Sequence, residues 1–201
     1  RAALLRVHHP AYLDRLAALA PHEGFAFIDP DTAMNPHTLE AAERAAGAAV
    51  RATDLVLRGE ADNAFCCVRP PGHHAEAGAA MGFCFYNNVA CAAAHALAAH
   101  GLQRVAVLDF DVHHGNGTED IFRDDPRVLF CSSFQYPFYA NTPIDHGHPR
   151  IVSVPLSAGT RGMDFREAVG STWFPALARF APEMLFVAAG LYPHEQKYVY
   201  T

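Results

Sequence analysis

The chain has 201 residues, a net charge of −6, 51% apolar residues and 18% charged residues, a balance that suits one soluble globular domain with a substantial core. The acidic balance excludes a basic nucleic-acid-binding surface and is compatible with a cationic substrate. No stretch is long and apolar enough to cross a membrane: the alanine-rich run from Val89 to Ala99 is short and is interrupted by His95.

The chain opens at Arg1, inside a helix-like pattern from Ala2 to Ala20 and without a signal-peptide pattern, and reads as a piece of a longer protein. Thr38 to Arg58 is expected to be a helix, with Ala42, Ala46, Ala49, Val50, Thr53, Val56 and Leu57 on one face and Gly59 as its stop. The run Ala64 to Val68 reads as a short buried strand. Asn88 to His100 reads as a second helix closed by Gly101, and Arg104 to Phe110 as a second strand. Val128 to Cys131 and Ile151 to Val154 follow as strands. Asp164 is expected to cap a helix reaching about Phe180, with Glu167 completing a capping box, and Met184 to Ala188 forms the last strand. Apolar strands alternating with helices imply an α/β fold with a parallel sheet covered on both faces. Ligands of such sheets bind beyond the carboxyl ends of the strands. No repeat or linker divides the chain, so one domain is expected. Five cysteines, Cys66, Cys67, Cys84, Cys91 and Cys131, are an odd number without framework spacing. They read as free, mostly buried thiols in a reducing compartment, hence a cytoplasmic location.

Two segments follow strands directly and carry ionisable groups. In Asp109-Phe110-Asp111-Val112-His113-His114-Gly115-Asn116-Gly117, residues two apart along an extended chain share a face. Asp109, Asp111 and His113 then lie together, and a carboxylate with an imidazole two positions on can grip one divalent metal. Gly115 and Gly117 allow a sharp turn just beyond. In Arg69-Pro70-Pro71-Gly72-His73-His74-Ala75-Glu76, the tandem histidines are either ligands or an acid and base acting on a metal-activated water. A third segment, Met81-Gly82-Phe83-Cys84-Phe85-Tyr86-Asn87-Asn88, has aromatics beside a glycine that suit either a core or the wall of a narrow tunnel.

These three segments, with the looser Ser132-Ser133-Phe134-Gln135-Tyr136-Pro137-Phe138-Tyr139 and Pro155-Leu156 before Gly159-Thr160, resemble the histone deacetylase superfamily. The likeness is to its bacterial class II-like branch, which includes acetylpolyamine amidohydrolases and related deacetylases. The resemblance runs from about Val7 to Gly190 and implies an arginase/deacetylase-like three-layer α/β fold with a central parallel sheet, incomplete at the C-terminus. It implies zinc held by Asp111 and His113, with His73 and His74 as the acid/base pair and Asp109 and Asn116 as their respective partners. Because asparagine is neutral, it implies a lower pKa for His74 than a carboxylate partner would set. It implies a structural potassium ion on Asp109, the backbone of Asp111 and His113, and Ser132. Gly82, Phe83 and Tyr139 would line the substrate tunnel, and acetylated lysine or an acetylpolyamine would be the substrate. Association into a homo-oligomer is left open.

The chain also departs from the family. The position of the family's third zinc ligand, an aspartate, is taken by Tyr192, and residues 191–201 resemble nothing in the family, so 1–190 reads as a partial catalytic domain with a foreign tail. The family's Gly-Gly-Tyr segment, which supplies an oxyanion-stabilising tyrosine, is not met. Rescue of the metal by His194 or by the Tyr192 phenolate is disfavoured, since tyrosine is a rare zinc ligand. The expectation is therefore a zinc-dependent deacetylase by ancestry with little or no turnover in this chain. The alternatives are an inactive remnant with part of a zinc site, and a two-manganese ureohydrolase on the same fold. The second would need more aspartates around two metals.

Overall fold

The computed structural model describes residues 1–144 and 147–190. They form two compact units, Arg1–Gln103 with Asn116–Asp124, and Arg104–Gly115 with the residues from Asp125 onward.

In the first unit the amino-terminal pattern is split in two. A short 3-10 turn, Leu4–Arg6, precedes helix α1 (Pro10–Leu19), whose first position is Pro10. Proline has no N–H to donate and its fixed φ suits that position, so a helix starts there and does not run through it. Two short strands, β1 (Ala26–Phe27) and β2 (Ala33–Met34), pair antiparallel. Helix α2 (Thr38–Leu57) packs on α3 (Asn88–Ala99). Ala42, Ala45 and Ala46 on α2 and Ala90, Ala93 and Ala96 on α3 are all buried. Asn87 caps α3, its side chain accepting from the Ala90 N–H at 3.0 Å. Helix α4 (Asn116–Phe122), which the sequence reading left as a turn, completes the unit.

The expected strand Ala64–Val68 does not form. The segment has no regular structure, and Phe65 is 76% exposed. An apolar run becomes a strand only when a neighbouring edge supplies a hydrogen-bonded ladder, and among the described residues no strand pairs with it.

The second unit is a parallel four-stranded sheet in the order β5-β4-β3-β6, made of β3 (Val105–Asp109), β4 (Val128–Gln135), β5 (Ile151–Leu156) and β6 (Met184–Ala188). On one face Ala106, Leu129, Cys131 and Val154 pack against Val169, Trp173 and Ala176 of helix α5 (Gly162–Phe180). On the other face Val105, Val107 and Phe130 are fully buried, so β3 and β4 are covered on both sides. Continuous apolar runs are what such strands require. Asp164 does not cap α5: the helix starts at Gly162, with Arg161 at the cap and no side-chain cap bond. Asp164 sits in the first turn, where its charge still favours the positive helix end.

His8 links the first unit's core to a testable pH dependence. It is 2% exposed, and its Nε2 accepts from the Asn87 N–H at 3.0 Å. The proton is therefore on Nδ1, which donates to the Glu76 carbonyl at 3.0 Å. Burial pushes its pKa down to about 4, below the value of about 6.5 for an unfolded chain. The unfolded chain then binds the extra proton first. His8 costs nothing above pH ~6.5 and destabilises the fold progressively as pH falls towards 4, by up to about 3 kcal/mol. Urea titrations from pH 7 to pH 4 should show this loss, and His8→Gln should flatten it. An equally steep loss in the variant would assign the acid sensitivity elsewhere.

Candidate active site

In the second unit, Asp109 ends β3 and pairs in register with Ser132 of β4 on one side and Ala188 of β6 on the other. The extended alternation expected through His113 stops there. Beyond Asp109 the chain bends, and side-chain acceptors hold the bend. Asp109 Oδ1 accepts from the Asp111 N–H at 3.1 Å, and Asp111 Oδ1 accepts from the His113 N–H at 2.8 Å. These Asx-type turns bring Asp111 and His113 together, with Asp111 Oδ1 3.1 Å from His113 Nδ1.

Gly115 and Gly117 serve a different purpose from the one expected. Neither has positive φ; both are needed for space. A Cβ on Gly115 would overlap the Asp109 carboxylate, and one on Gly117 would overlap the Ala75 carbonyl in the first unit. Gly117→Ala should therefore displace the histidine loop and cost roughly 1–3 kcal/mol, read as a lowered denaturant midpoint. A midpoint unchanged from wild type would contradict the close approach.

The Asp111 carboxylate meets a further close neighbour, Gly190, just after β6. A Cβ there would coincide with Asp111 Oδ2. The His113 ring lies flat on Phe138, with centroids 4.9 Å apart and a 6° interplanar angle, and meets Tyr139 edge-on at 5.8 Å. Phe138, which the sequence reading passed over, is thus the ring stacked on the imidazole. Ser132 Oγ faces His114 Nδ1 at 3.0 Å, and His114 is buried against Phe134.

The donor set fits a divalent metal in part. A carboxylate oxygen and an imidazole nitrogen about 3 Å apart match neighbouring ligands around zinc, whose bonds are about 2.0–2.2 Å. Catalytic zinc sites take three protein ligands. Among the described residues no third His, Cys, Asp or Glu joins Asp111 and His113, and Tyr192 and His194 lie outside the described residues.

In the first unit the tandem histidines sit in a loop held by buried polar bonds. Asn87 Nδ2 donates to the Ala75 carbonyl and to Thr118 Oγ1, each at 3.1 Å, and the Thr118 N–H donates to the His73 carbonyl at 3.2 Å. The two imidazoles lie 4.0 Å apart between centroids. His74 is 4% exposed, and its Nδ1 is 2.8 Å from Asn116 Oδ1. Asn116 Nδ2 faces Glu76 Oε1 at 3.0 Å and Met81 Sδ at 3.2 Å. A carboxylate only accepts, so the amide nitrogen must point at Glu76 and the amide oxygen at His74. His74 then carries its proton on Nδ1, which makes Nε2 the ring's accepting nitrogen. Glu76 was legible as a member of the segment but not in this role.

Gly82 and Phe83 form a tight turn with consecutive positive φ values of 56° and 65°. The left-handed region is free for glycine and strained for phenylalanine. The Phe83 N–H donates to Thr32 Oγ1 at 3.2 Å, and the ring is 52% exposed. Beside it Asp31, Asn35, His37, Arg69 and Phe85 line a recess of about 470 Å³.

The second unit's parallel sheet sets carboxylate and imidazole side chains just beyond a central strand, where the ligands of such sheets bind. The chain belongs to the histone deacetylase family: the histone deacetylase domain model matches residues 1–199. A histone deacetylase-like amidohydrolase of Pseudomonas aeruginosa is 44% identical over 194 residues, covering 93% of this chain and 51% of that protein. The rat polyamine deacetylase HDAC10 is 42% identical over 169 residues, covering 78% of this chain and 29% of that protein. An uncharacterized protein of Synechocystis is 42% identical over 190 residues, covering 93% of this chain and 62% of that protein. The crystal structure of the HDA15 HD domain superposes with a TM-score of 0.88 at 34% identity, covering 95% of this chain and 57% of that one. The chain thus spans from under a third to about three-fifths of the length of these relatives.

Proposed function

We propose that this chain carries the metal-binding and proton-transfer residues of a zinc-dependent deacetylase that hydrolyses the acetyl amides of lysine side chains or polyamines. The observation that carries the reading is the Glu76–Asn116–His74 series, in which the buried Asn116 and His74 fix one histidine tautomer with Nε2 as a base. Names of relatives support the substrate class: one is an amidohydrolase and another a polyamine deacetylase.

Asp111 and His113 would hold the zinc, whose chemistry when bound would be to polarise the acetyl carbonyl and make water a stronger nucleophile. His74 Nε2 takes the attacking water's proton, and the resulting imidazolium returns it to the leaving amine. Asn116 keeps the ring oriented throughout, because its own amide cannot turn while Glu76 holds it. His73, its ring 4.0 Å from that of His74 between centroids, supplies a second imidazole. Phe83 and Gly82 on one segment, and Tyr139 with Phe138 on another, provide the apolar walls for the acyl-bearing chain. Asp109 and Ser132, with backbone carbonyls of Asp111 and His113, suit a potassium ion, which takes oxygen ligands.

Hydrolysis of a fluorogenic acetyl-lysine substrate and of an acetylpolyamine, each with and without a hydroxamate inhibitor, tests the reading and separates the two substrate classes. Slow, hydroxamate-sensitive release from either is the expected result, in keeping with a chain of little turnover. Zinc bound stoichiometrically with no release from either would favour the inactive-remnant reading.

A further inference from the structure

We infer that Asp54, His95 and His100 form a second divalent-metal site, in the first unit and separate from Asp111 and His113, that takes zinc or a similar transition metal. Asp54 projects from α2, His95 from α3, and His100 is the C-cap of α3. Their ligand atoms all lie within 4.8 Å of one another. Both Nε2 atoms converge on a single carboxylate oxygen, Asp54 Oδ1, at 2.8 Å from His95 and 2.7 Å from His100. Two histidines that only tied helix to helix would have both oxygens to share. Here Oδ2 is left towards Arg58, 3.9 Å away. The imidazole rings meet edge to face, 79° apart with centroids at 5.4 Å, so neither covers the other's nitrogen. The side chains retain 13%, 19% and 18% exposure for His95, His100 and Asp54, enough for an ion to enter from solvent.

One carboxylate and two imidazoles are a donor set that suits zinc, with a fourth position left open. Zinc bonds of about 2.0–2.1 Å at tetrahedral angles would set each ring nitrogen about 3.3 Å from the carboxylate oxygen, against 2.8 and 2.7 Å now. That is roughly half an ångström beyond the present separations. Without metal, the carboxylate accepts N–H bonds from both rings, which hold its pKa down at about 2. It is ionised at any ordinary pH.

Arg6 gates the site. Its Nη1 lies 2.8 Å from His95 Nδ1, and a guanidinium only donates, so Nδ1 accepts and the His95 proton is on Nε2. Metal binding needs the Nε2 lone pair and moves that proton to Nδ1, where it would face another donor. Arg6 must withdraw before His95 can ligate. It is exposed and free to do so. Removing it takes away both the wrong tautomer and a repelling charge.

The experiment is calorimetric titration of zinc ions into metal-free Asp111→Asn chain, where the other site is silenced, and into the same chain carrying Asp54→Asn. One equivalent should bind the first and none the second. Adding Arg6→Ala to the first, with all three ligands kept, should tighten binding on the order of tenfold. Zinc should also shift the Nε2 nuclear magnetic resonances of His95 and His100. An Asp54→Asn chain that binds as much zinc as its parent overturns the inference, as does a parent that binds none. Should Asp54→Asn fail to fold, the Arg6→Ala arm decides: unchanged or weaker affinity there overturns it too.

Discussion

His74→Ala should lower kcat by roughly 100- to 10,000-fold while leaving zinc content unchanged. The substitution removes an imidazole whose tautomer is fixed through Asn116 at 2.8 Å and Glu76 at 3.0 Å. On the proposed reading it removes no ligand, since Asp111 and His113 would supply the metal donors. The measurement is single-turnover hydrolysis of an acetyl-lysine amide with parallel metal analysis, in a chimera where the C-terminal half of the Pseudomonas aeruginosa relative follows Gly190. Glu76→Gln should give a smaller loss of the same kind, because a neutral amide beside Asn116 no longer dictates which way that side chain points. If His74→Ala strips the metal instead, His74 is a ligand and the proton-transfer role is wrong.

Gly190→Ala should weaken zinc binding by about 10- to 100-fold, the range seen when a ligand loses its support, without lowering stability to the same degree. A Cβ at this position would occupy the place of Asp111 Oδ2. The strand before it is held in full register with β3, so the backbone has little room to retreat. The carboxylate must then rotate away from His113. Competition with a chromophoric chelator measures the affinity, and a thermal melt checks the fold. Wild-type affinity in the variant would show that Asp111 is not positioned by this contact.

Much of the fold was legible because burial writes itself into composition. Each strand of the sheet is met as an apolar run, with Val128 to Cys131 and Ile151 to Val154 shorter than the observed Val128–Gln135 and Ile151–Leu156, and β3 and β4 are apolar because they are buried on two faces. Ala64–Val68 has the same composition and forms no strand, because pairing depends on a neighbour that local sequence does not contain. Helix α4 was hidden by Gly115 and Gly117, read as turn residues when their role is close approach. The start of α5 was misplaced because Asp164 is a good cap by type, and the chain turned helical two residues earlier.

The chemistry was legible by residue type and less so by geometry. Asp111 and His113 are together, but through side-chain-closed turns and not through strand alternation. Glu76 and Phe138 stood inside segments already singled out, yet their roles depend on a partner amide and on a ring plane, neither of which spacing encodes. The cluster of Asp54, His95 and His100 was invisible for another reason. Its members are 41 and 46 residues apart, and His95 registered only as an interruption in an alanine-rich helix. Helix packing, not motif spacing, assembles it.

The most direct test of the account is acetate release from an acetyl-lysine or acetylpolyamine substrate by the zinc-loaded chain, followed through chelation and in Asp111→Asn. The account predicts slow release that stops with the chelator, returns with added zinc and is lost in the variant. Release that survives both chelation and Asp111→Asn would contradict it.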